Sequence, residues 1–532
     1  MKSFCLRVQK FSMTAGLAGP RSSKKSNAIH SQDTKQIQET TQMKSNHSQS
    51  GNSGKVLTLL TALFAAVILA GTVVPAQAQT FNSLYSFEGV NDNEGSWPEG
   101  LVQGTDGNLY GVTRAGGNAG EISSGTFYKI STSGDLKLIC TFYNTACRDA
   151  QGPENLVLGA NGSFYGVALD GENFRINNKG KLKVLYSNQN SISVAPLVLA
   201  SNKDFYGVSK NSGTNNEGTV FKMTPAGKLT TLYSFCSVVQ NSICLDGAQP
   251  VFPLVQGSDG NLYGTTSIGG NDGVNSGYGT IFKITQAGTL TTLYNFPGFT
   301  QSSSALVEGA DGNFYGTTAD GGTGTYGAGG TFFRVTPSGS VTTLYNFCTL
   351  NQCADGSQPS NIILATDGNF YGIAWDSGAN QQGTIFQFTP NGVLTTLHNF
   401  DGGDGSGPNG GGTLMQATNG TFYGTMMEGG TGWPTCSFDC DGTIFSLDMG
   451  LSPFVETVPT SGKAKTAVKI LGTDLTGATS VTFNGTEATF KVASSSEITT
   501  NVPAGATTGV IKVVTPSGTL TSNAVFQVAV KK

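Results

Sequence analysis

Acidic side chains recur at one position of a repeated motif, where they could do chemistry. The motif reads Asp-Gly-Asn-Leu-Tyr-Gly at Asp106 and occurs in seven copies, some of them looser. In four copies a carboxylate stands five residues after the tyrosine: Asp170, Asp320, Asp376 and Glu428. Carboxylates that converge could hold a cation or a polar ligand, although acidic residues beside glycine are commonly turn formers. We treat the four as candidate ligand-binding residues and predict no cofactor, since nothing else supports a structural calcium ion.

Two tryptophans accompany these carboxylates. Trp375 directly precedes Asp376, and Trp433 follows Glu428 by five residues. An indole ring could stack on a sugar, but it also packs well between repeated units, and we favour packing. Both tryptophans join the candidate ligand-binding set.

Eight of the nine cysteines fall into close pairs. Such pairs favour local disulfides in an exported chain. The alternative is a metal cluster, which is disfavoured because no pair has the two-residue spacing of a zinc knuckle and no histidine is near. The predicted disulfides join Cys140 to Cys147, Cys236 to Cys244, Cys348 to Cys353, and Cys436 to Cys440.

Histidine is scarce, which argues against acid–base catalysis. After residue 78 the chain contains one histidine, His398, in place of the tyrosine of a repeated Leu-Tyr-Asn-Phe sequence. We expect His398 to pack as a tyrosine substitute, and no second histidine completes an acid–base pair. No GxSxG or HExxH motif occurs. The sequence favours a non-catalytic protein, and the alternative is a lyase or hydrolase of extracellular polymers that uses Asp320 and Asp376.

The motif marks a repeated unit of β-structure. Its tyrosines lie 41 to 57 residues apart, a spacing typical of stacked or radial repeat proteins. One unit, Ala305 to Phe347, contains four strand patterns, and its Asp311-Gly312 dipeptide is typical of a tight hairpin turn. Four-stranded units in series predict an all-β fold, the β-propeller.

The phase of the repeats predicts a closed ring. The fourth-strand sequence Leu-Tyr-Ser-Phe first occurs at Leu84, before any motif, and the last unit ends after Gly442 without one. We expect the strand from Phe81 to Phe87 to complete the last unit, which gives a seven-bladed propeller over residues 79–450. Long loops follow the second and fourth strands and therefore share one face. Because the cysteine pairs and the acidic candidates lie in those loops, we expect an extracellular ligand there: a glycan, a peptide or a partner protein. The alternative for the disulfides is that they protect the long glycine-rich loops from proteases.

Residues 451–532 have another pattern. Short alternating strands and regular turns predict an immunoglobulin-like β-sandwich.

The N-terminal residues 1–78 predict export. An apolar run from Val56 to Val74 follows Lys55 and precedes Ala76-Gln77-Ala78, which fits a signal peptide cleaved after Ala78. An uncleaved anchor is the alternative, and it would be the only membrane contact. Translation could begin at Met1 or Met43. A net charge of −4 gives no reason to expect nucleic-acid binding. We expect a secreted or cell-surface protein.

The sequence resembles two families. The repeat, with Asp-Gly-Asn-Leu-Tyr-Gly-Thr-Thr and Gly-Thr-Ile-Phe-Lys-Ile, resembles the GloVer tandem repeats of bacterial surface proteins described as "choice-of-anchor", over roughly residues 81–450. The tail, with Val-Thr-Phe-Asn-Gly from Val481 and Val-Pro-Ala-Gly from Val502, resembles IPT/TIG domains. These resemblances imply a surface-associated propeller with an Ig-like module. The chain ends directly after that module, so anchoring and free secretion both stay open.

The motifs are also similar to those of the lyase propellers that inactivate streptogramins. Such enzymes would use histidines as base and metal-associated groups, whereas this chain offers His398 alone after residue 78. The departure puts a lyase activity in doubt.

Overall fold

β-Strands account for almost all regular structure in the computed structural model. It describes residues 79–88, 94–117, 125–142, 147, 150–169, 171–187, 195–271, 277–298, 305–326, 328–407, 412–434 and 441–529. Among these residues there is no α-helix, and one 3₁₀ turn spans Asn351–Cys353. The predicted signal peptide, Asp170, Cys436 and Cys440 lie outside the described residues. The chain divides into two compact units, Met1–Val74 and Pro75–Lys532, and the second contains every described residue.

The strands of the repeat region assemble into seven four-stranded antiparallel sheets. The N-terminal strand is β1 (Thr80–Ser86). Sheet 1 contains β2 (Ser96–Gln103), β3 (Leu109–Ala115), β4 (Thr126–Ile130) and β5 (Leu136–Thr141). Sheet 2 contains β6 (Pro153–Leu158), β7 (Phe164–Ala168), β8 (Glu172–Ile176) and β9 (Leu182–Ser187). Sheet 3 contains β10 (Val198–Leu199), β11 (Phe205–Ser209), β12 (Thr219–Met223) and β13 (Leu229–Ser234).

A small hairpin, β14 (Val239–Gln240) and β15 (Ile243–Cys244), precedes sheet 4. Sheet 4 contains β16 (Val255–Gln256), β17 (Leu262–Thr265), β18 (Thr280–Ile284) and β19 (Leu290–Asn295). Sheet 5 contains β20 (Val307–Glu308), β21 (Phe314–Thr318), β22 (Thr331–Val335) and β23 (Val341–Asn346). Sheet 6 contains β24 (Ser357–Leu364), β25 (Phe370–Asp376), β26 (Thr384–Phe388) and β27 (Leu394–Asn399). Sheet 7 contains β28 (Gly412–Gln416), β29 (Phe422–Met426), β30 (Thr443–Asp448) and β1.

Within each sheet the strands follow a simple meander, so successive connections alternate between two ends. The end with the short turns, after the first and third strands, is called the turn face, and the end with the long loops is called the loop face. Glycine permits the tight turn after the first strand because it adopts a positive φ there, as at Gly312 (74°). The predicted all-β fold of repeated four-stranded units is confirmed.

The seventh sheet uses both ends of the repeat region. Strand β1 pairs antiparallel with β30, from Thr80 opposite Asp448 to Ser86 opposite Thr443. The N-terminal strand therefore occupies the fourth-strand position of sheet 7.

In four sheets, the side chain of the last residue of the first strand accepts a hydrogen bond from a backbone amide in the turn of a neighbouring sheet. Three such bonds join a sheet to the one before it: Gln256 to Ser201 at 2.8 Å, Glu308 to Ser258 at 2.9 Å and Gln416 to Thr366 at 3.0 Å. Gln103 of sheet 1 accepts the equivalent bond from Thr418 of sheet 7 at 2.9 Å. Sheet 7 thus contacts sheet 1 in the way that other sheets contact their successors.

Buried aromatic rings fill the spaces between sheets. The motif tyrosine of one sheet packs against the phenylalanine that precedes the tyrosine of the next sheet. The ring centroids are 4.5 Å apart for Tyr110 and Phe164, 4.1 Å for Tyr165 and Phe205, 4.0 Å for Tyr263 and Phe314, 4.3 Å for Tyr315 and Phe370, and 4.3 Å for Tyr371 and Phe422. Such pairs add about 0.5–1.5 kcal/mol each to the gain from burial. In sheet 7, Tyr423 shares a core with Leu109 of sheet 1.

The C-terminal residues form two further four-stranded sheets and one short parallel pair. The strands are β31 (Glu456–Val458), β32 (Ser461–Gly462), β33 (Ala467–Leu471), β34 (Ser480–Phe483), β35 (Thr486–Glu487), β36 (Phe490–Val492), β37 (Glu497–Asn501), β38 (Ile511–Thr515), β39 (Gly518–Thr521) and β40 (Gln527–Val528). One sheet has the order β31-β33-β37-β36 and the other the order β35-β34-β38-β39. Ile470 and Ile498 of the first sheet share a buried core with Phe483 and Val513 of the second.

These C-terminal sheets pack on part of the turn face. Ser496 donates to the carbonyl of Thr105 in sheet 1 at 2.9 Å, and Ser461 donates to that of Ser201 in sheet 3 at 3.0 Å. Thr473 hydrogen-bonds Thr418 of sheet 7 at 3.2 Å. By contrast, a Cβ atom added at the turn glycine of sheets 4, 5 or 6 would meet no atom within 4 Å: Gly260, Gly312 and Gly368. Three of the seven turns are therefore open.

Candidate functional site

The repeated motif is structural, because its polar atoms bond one another. In sheet 5 the Tyr315 hydroxyl donates to the Asp311 carboxylate at 3.0 Å, and the Asn313 side chain donates to the same oxygen at 2.6 Å. Burial raises the pKa of Asp311, but the bonds from Asn313 and Tyr315 outweigh that effect and lower it below its usual value. The carboxylate thus closes its own turn rather than facing a ligand.

Three copies of the motif have asparagine in place of this aspartate. They keep the contact with the motif tyrosine, but there the asparagine side chain donates and the tyrosine hydroxyl accepts. The side-chain amides of Asn161, Asn202 and Asn419 each donate to the hydroxyl of their own motif tyrosine, at 2.9, 2.9 and 3.0 Å. Asparagine and aspartate are therefore interchangeable in this turn, as expected of a scaffold position.

Three of the predicted cysteine pairs are bonded in the structure. Their disulfides join Cys140 to Cys147, Cys236 to Cys244 and Cys348 to Cys353. The first begins within the fourth strand of sheet 1, and the other two follow the fourth strands of sheets 3 and 5. Disulfides are typical of proteins in oxidising, extracytoplasmic environments. Within the described residues, no helix is long and apolar enough to cross a membrane.

Two of these loops each contain a buried aspartate that accepts hydrogen bonds from its own loop. Asp355 accepts hydrogen bonds from the Tyr345 hydroxyl at 2.8 Å, the Thr349 amide at 2.9 Å and the Leu350 amide at 3.2 Å. Asp246 accepts the equivalent bond from Tyr233 at 2.7 Å. The disulfide and the carboxylate together fix the loop, so its tip has a defined shape.

His398 takes the place of this loop-binding tyrosine. It stands opposite Ile385 as Tyr345 stands opposite Phe332, and its Nε2 lies 2.7 Å from the Asp404 carboxylate. The imidazole also stacks on Phe81 at 3.7 Å. Burial raises the pKa of Asp404, but the bonds from His398 and the Asp401 amide outweigh that effect and lower it. These contacts agree with the interpretation of His398 as a tyrosine substitute.

Three of the four acidic candidates lie among the described residues: Asp320, Asp376 and Glu428. Asp320 is exposed, whereas Asp376 and Glu428 are partly buried. Asp376 accepts a hydrogen bond from the backbone amide of the adjacent Ser377 at 2.6 Å. No group of three or more potential metal ligands occurs in the described part of the chain.

The two tryptophan candidates are in packed surroundings. Trp375 belongs to strand β25 and packs against a core with Phe400 and Phe445. The Trp433 ring lies over Gly402, where a Cβ would come within 2.2 Å of its Nε1. Both side chains are partly buried, and these contacts favour packing as the interpretation for both.

The loop face carries exposed apolar side chains that the sequence reasoning missed. Two are in the disulfide-closed loop from Cys236 to Cys244, Val238 (52% exposed) and Val239 (57%). Leu350 is 53% exposed in the loop from Cys348 to Cys353, and Tyr326 is 54% exposed beside it, its amide bonded to the Cys348 carbonyl. Their sequence signal was weak, namely apolar residues between paired cysteines.

Two glutamates near the loop-face end of the first strands were also missed. Glu99 and Glu154 follow a proline at equivalent positions of sheets 1 and 2. Burial, and then the charge of Glu154, raises the pKa of Glu99 to about 8, although Arg114 lowers it in part. Burial raises the pKa of Glu154 to about 7, and the Arg114 guanidinium, 3.9 Å away, offsets this in part. Carboxyls poised near neutrality are suited to proton transfer.

Tyr128 sets this region apart from the other sheets. The equivalent position of the third strand is phenylalanine elsewhere, as at Phe282 and Phe386. The Tyr128 hydroxyl is buried and has no hydrogen-bond partner among the described residues. Burial, and then the charge of Glu99, raises the pKa of this phenol. The sequence signal for the region was the repeated Pro-Glu dipeptide together with a tyrosine in a phenylalanine position.

Comparison with known proteins places the repeats in a family. A family model described as the Gloeobacter/Verrucomicrobia repeat matches residues 67–238, 170–304 and 298–498. These matches span well over half of the chain. The chain belongs to this repeat family. The resemblance expected from the motifs is thereby confirmed for the repeat region, and the third match continues past Gly450 into the C-terminal sheets.

Solved structures show weaker similarity. A streptogramin B lyase is 16% identical with a TM-score of 0.45, covering 70% of this chain and 97% of the lyase. A luciferin-regenerating enzyme is 12% identical with a TM-score of 0.36, covering 71% and 98%. A protein of unknown function from Dyadobacter fermentans is 11% identical with a TM-score of 0.38, covering 70% and 99%. No curated protein matches the sequence. Similarity at this level transfers no activity to the chain.

Proposed function

We propose that the chain is an exported, non-catalytic binding or adhesion protein that engages an extracellular glycan, peptide or partner protein with its loop face. The proposed scaffold is a closed seven-bladed β-propeller over residues 79–450. An IPT/TIG-type immunoglobulin-like sandwich follows over residues 451–532.

Closure of the propeller is supported by the contacts between sheets 7 and 1. The bond from the Thr418 amide to Gln103 repeats the bonds between successive sheets, and β1 completes sheet 7. Closure would leave no exposed sheet edge between the first and last repeats, and exposed edges invite aggregation. The proposed sandwich is supported by two antiparallel sheets over one shared core.

The observation that carries the binding proposal is the exposed apolar surface of the loop face. Within the described repeat region, the large apolar side chains that are more than half exposed lie there, with Val393 on the turn face as the exception. Val238, Val239 and Leu350 lie in disulfide-closed loops, and the Tyr326 amide is bonded to the Cys348 carbonyl. The turn face, by contrast, is partly covered by the C-terminal sheets. Exposed apolar side chains on rigid loops are typical of interaction surfaces.

Export is supported by the three disulfides. The predicted signal peptide stays a prediction, which N-terminal sequencing of the secreted protein tests: a mature chain beginning at Gln79 would agree with cleavage after Ala78.

The binding proposal is tested by probing arrays of glycans, cell-wall fragments and peptides with the mature chain, residues 79–532. We expect saturable binding to a member of one array. The double variant Tyr326→Ser and Leu350→Ser should lose that binding by at least about tenfold, since anchors of this kind commonly contribute more than 1.4 kcal/mol. Val525→Ser, at an exposed C-terminal position, is the matched control and should bind normally. Undiminished binding by the double variant would refute the proposal for this surface.

A polymer-acting enzyme is the second candidate function, and the pair Glu99 and Glu154 is the observation in its favour. Two carboxyls with separately raised pKa values could serve as acid and base. A screen of polysaccharide lyase and hydrolase substrates tests this. Turnover abolished by Glu99→Gln or Glu154→Gln, but retained in Glu487→Gln, would establish the enzyme, and binding without turnover would exclude it for those substrates.

A further inference from the structure

A cavity of about 450 Å³ lies between the first strands of the repeat sheets and the C-terminal sheets. Strands β2, β6, β10, β24 and β28 contribute to its wall, and β31 closes it at the turn face. The volume falls within the range of small-molecule sites. Neither the repeat region nor the C-terminal sheets would form this cavity alone.

Most of the residues that line the cavity are apolar, and polar atoms contribute almost half of its exposed wall. Leu158, Leu199, Leu364 and Met415 come from the repeat sheets, and Val458 comes from the C-terminal sheets. Such a wall suits a mainly apolar ligand that also carries a polar group.

The two glutamine side chains at the wall are occupied by hydrogen bonds. Gln103 donates to the Gly107 carbonyl at 3.4 Å and accepts from the Thr418 amide at 2.9 Å. Gln416 accepts from the Thr366 amide at 3.0 Å and donates to the Gly420 carbonyl at 3.1 Å. These glutamines hold neighbouring sheets together and are not free to bind a guest.

Glu456 differs from them. It lines the cavity from strand β31, and its carboxylate makes no hydrogen bond or ion pair with any described residue. Burial alone raises its pKa above the usual range, with no charged neighbour contributing. Glu456 is partly exposed, and its carboxylate lies at the cavity wall without a partner among the described residues, so it is free to pair with a cationic group of a ligand.

We propose that this cavity binds an apolar small molecule that ends in a protonated amine, with the Glu456 carboxylate as the counter-ion. The apolar wall holds the body of the molecule and the ammonium group donates to Glu456. This site is at the opposite end of the first strands from Glu99 and is independent of the proposed loop-face binding.

Three probes that share one alkyl chain test the charge requirement. The mature chain, residues 79–532, is titrated calorimetrically near neutral pH with decylamine, decanol and decanoate, each below its micelle concentration. We expect one saturable site for decylamine, affinity at least about tenfold weaker for decanol, and no binding of decanoate. Tenfold is the effect of losing one charge-assisted hydrogen bond of about 1.4 kcal/mol.

Variants then locate the site. Glu456→Gln should weaken decylamine binding by about tenfold while leaving decanol within twofold, since only the charge is removed. Met415→Trp, which reduces the cavity volume from the side of the repeat sheets, should weaken both probes. Glu487→Gln, an exposed glutamate of the C-terminal sheets, is the matched control and should bind decylamine normally.

The probe series requires no variant to fold, so the proposal stays falsifiable if Met415→Trp does not fold. No saturable binding of decylamine to the wild type would overturn it. Equal binding of the three probes, or decylamine binding unchanged by Glu456→Gln, would overturn the assignment of Glu456 as counter-ion.

Discussion

The turn face and the loop face of the repeat sheets differ in how far their connections repeat from sheet to sheet. On the turn face, each sheet repeats one hydrogen-bonded turn, with aspartate or asparagine beside the motif tyrosine, as in Asp311 with Tyr315 and Asn419 with Tyr423. On the loop face the connections differ: Asp355 binds Tyr345 behind a disulfide, whereas Asp404 binds His398 without one. Repetition therefore marks the scaffold, and variation marks the surface where a ligand can be distinguished.

The largest expected effect comes from removing a motif ring. Tyr315 is 1% exposed and packs on Phe370, so Tyr315→Ala should lower the free energy of unfolding by about 3–5 kcal/mol. Tyr315→Phe removes only the bond to Asp311 and should cost about 1 kcal/mol. Urea denaturation of both variants measures the difference. Similar losses in the two would show that the hydroxyl, rather than ring packing, dominates at the turn face.

A loop-face disulfide should matter less to stability and more to binding. Replacing Cys348 and Cys353 by serine opens a ring of sequence separation 5, for which chain entropy predicts a loss of about 2 kcal/mol. The same variant should also lose binding to the ligand found on the glycan and peptide arrays, because the loop that carries Leu350 is then no longer closed by the disulfide. A stability loss without any change in binding would show that the ring only protects the loop.

Glu99 provides a pH test at the loop-face end. Because its pKa rises from 4.5 to about 8 in the folded protein, the native state binds more protons than the unfolded chain between these values. Stability should therefore fall as pH rises from about 5 to 8, by about 1–3 kcal/mol if the carboxyl is as strongly perturbed as buried groups commonly are. Glu99→Gln should lose less stability over the same range in urea denaturation. An identical slope in wild type and variant would contradict the raised pKa.

The smallest effect is expected at an open turn. Asp311→Asn reproduces the asparagine turns of other sheets and should change stability at neutral pH by less than about 1 kcal/mol. Because the pKa of Asp311 is lowered in the fold, its contribution is present above the unfolded pKa and is lost as pH falls through the folded value. Asp311→Asn should therefore reduce the stability loss of the protein below about pH 4, where carboxylates protonate. If the free energy of unfolding fell equally below about pH 4 in the wild type and in Asp311→Asn, the result would contradict the role of the Asp311 carboxylate in the turn.

Much of the scaffold could be predicted because it repeats. Spacing between motif tyrosines, Asp-Gly turns and the early Leu-Tyr-Ser-Phe at Leu84 indicated the four-stranded units and the pairing of β1 with β30. Close cysteine spacing indicated the three disulfides that the structure contains. Local turn chemistry and periodic burial determine these features, and both are visible in sequence.

The candidate sites could not be predicted in the same way. The pKa of Glu99 depends first on its burial and then on Glu154 and Arg114 from other strands. The position of Glu456 at the cavity wall depends on how the C-terminal sheets dock. Asp376 looked like a ligand-binding residue by position, but its carboxylate bonds the adjacent Ser377 amide. Long-range packing decides these cases, and no short-range pattern records it.

One measurement tests most directly whether the loop face is the binding face. Tyr326 (54% exposed) and Val393 (61% exposed) lie on the loop face and the turn face respectively, so each is replaced by cysteine and coupled to a polyethylene glycol maleimide. Array binding by the two conjugates is then compared with that of the unmodified mature chain. The loop-face account predicts that the conjugate at residue 326 loses binding while the conjugate at residue 393 retains it. Binding lost only at residue 393, or retained equally by both conjugates, would contradict the account.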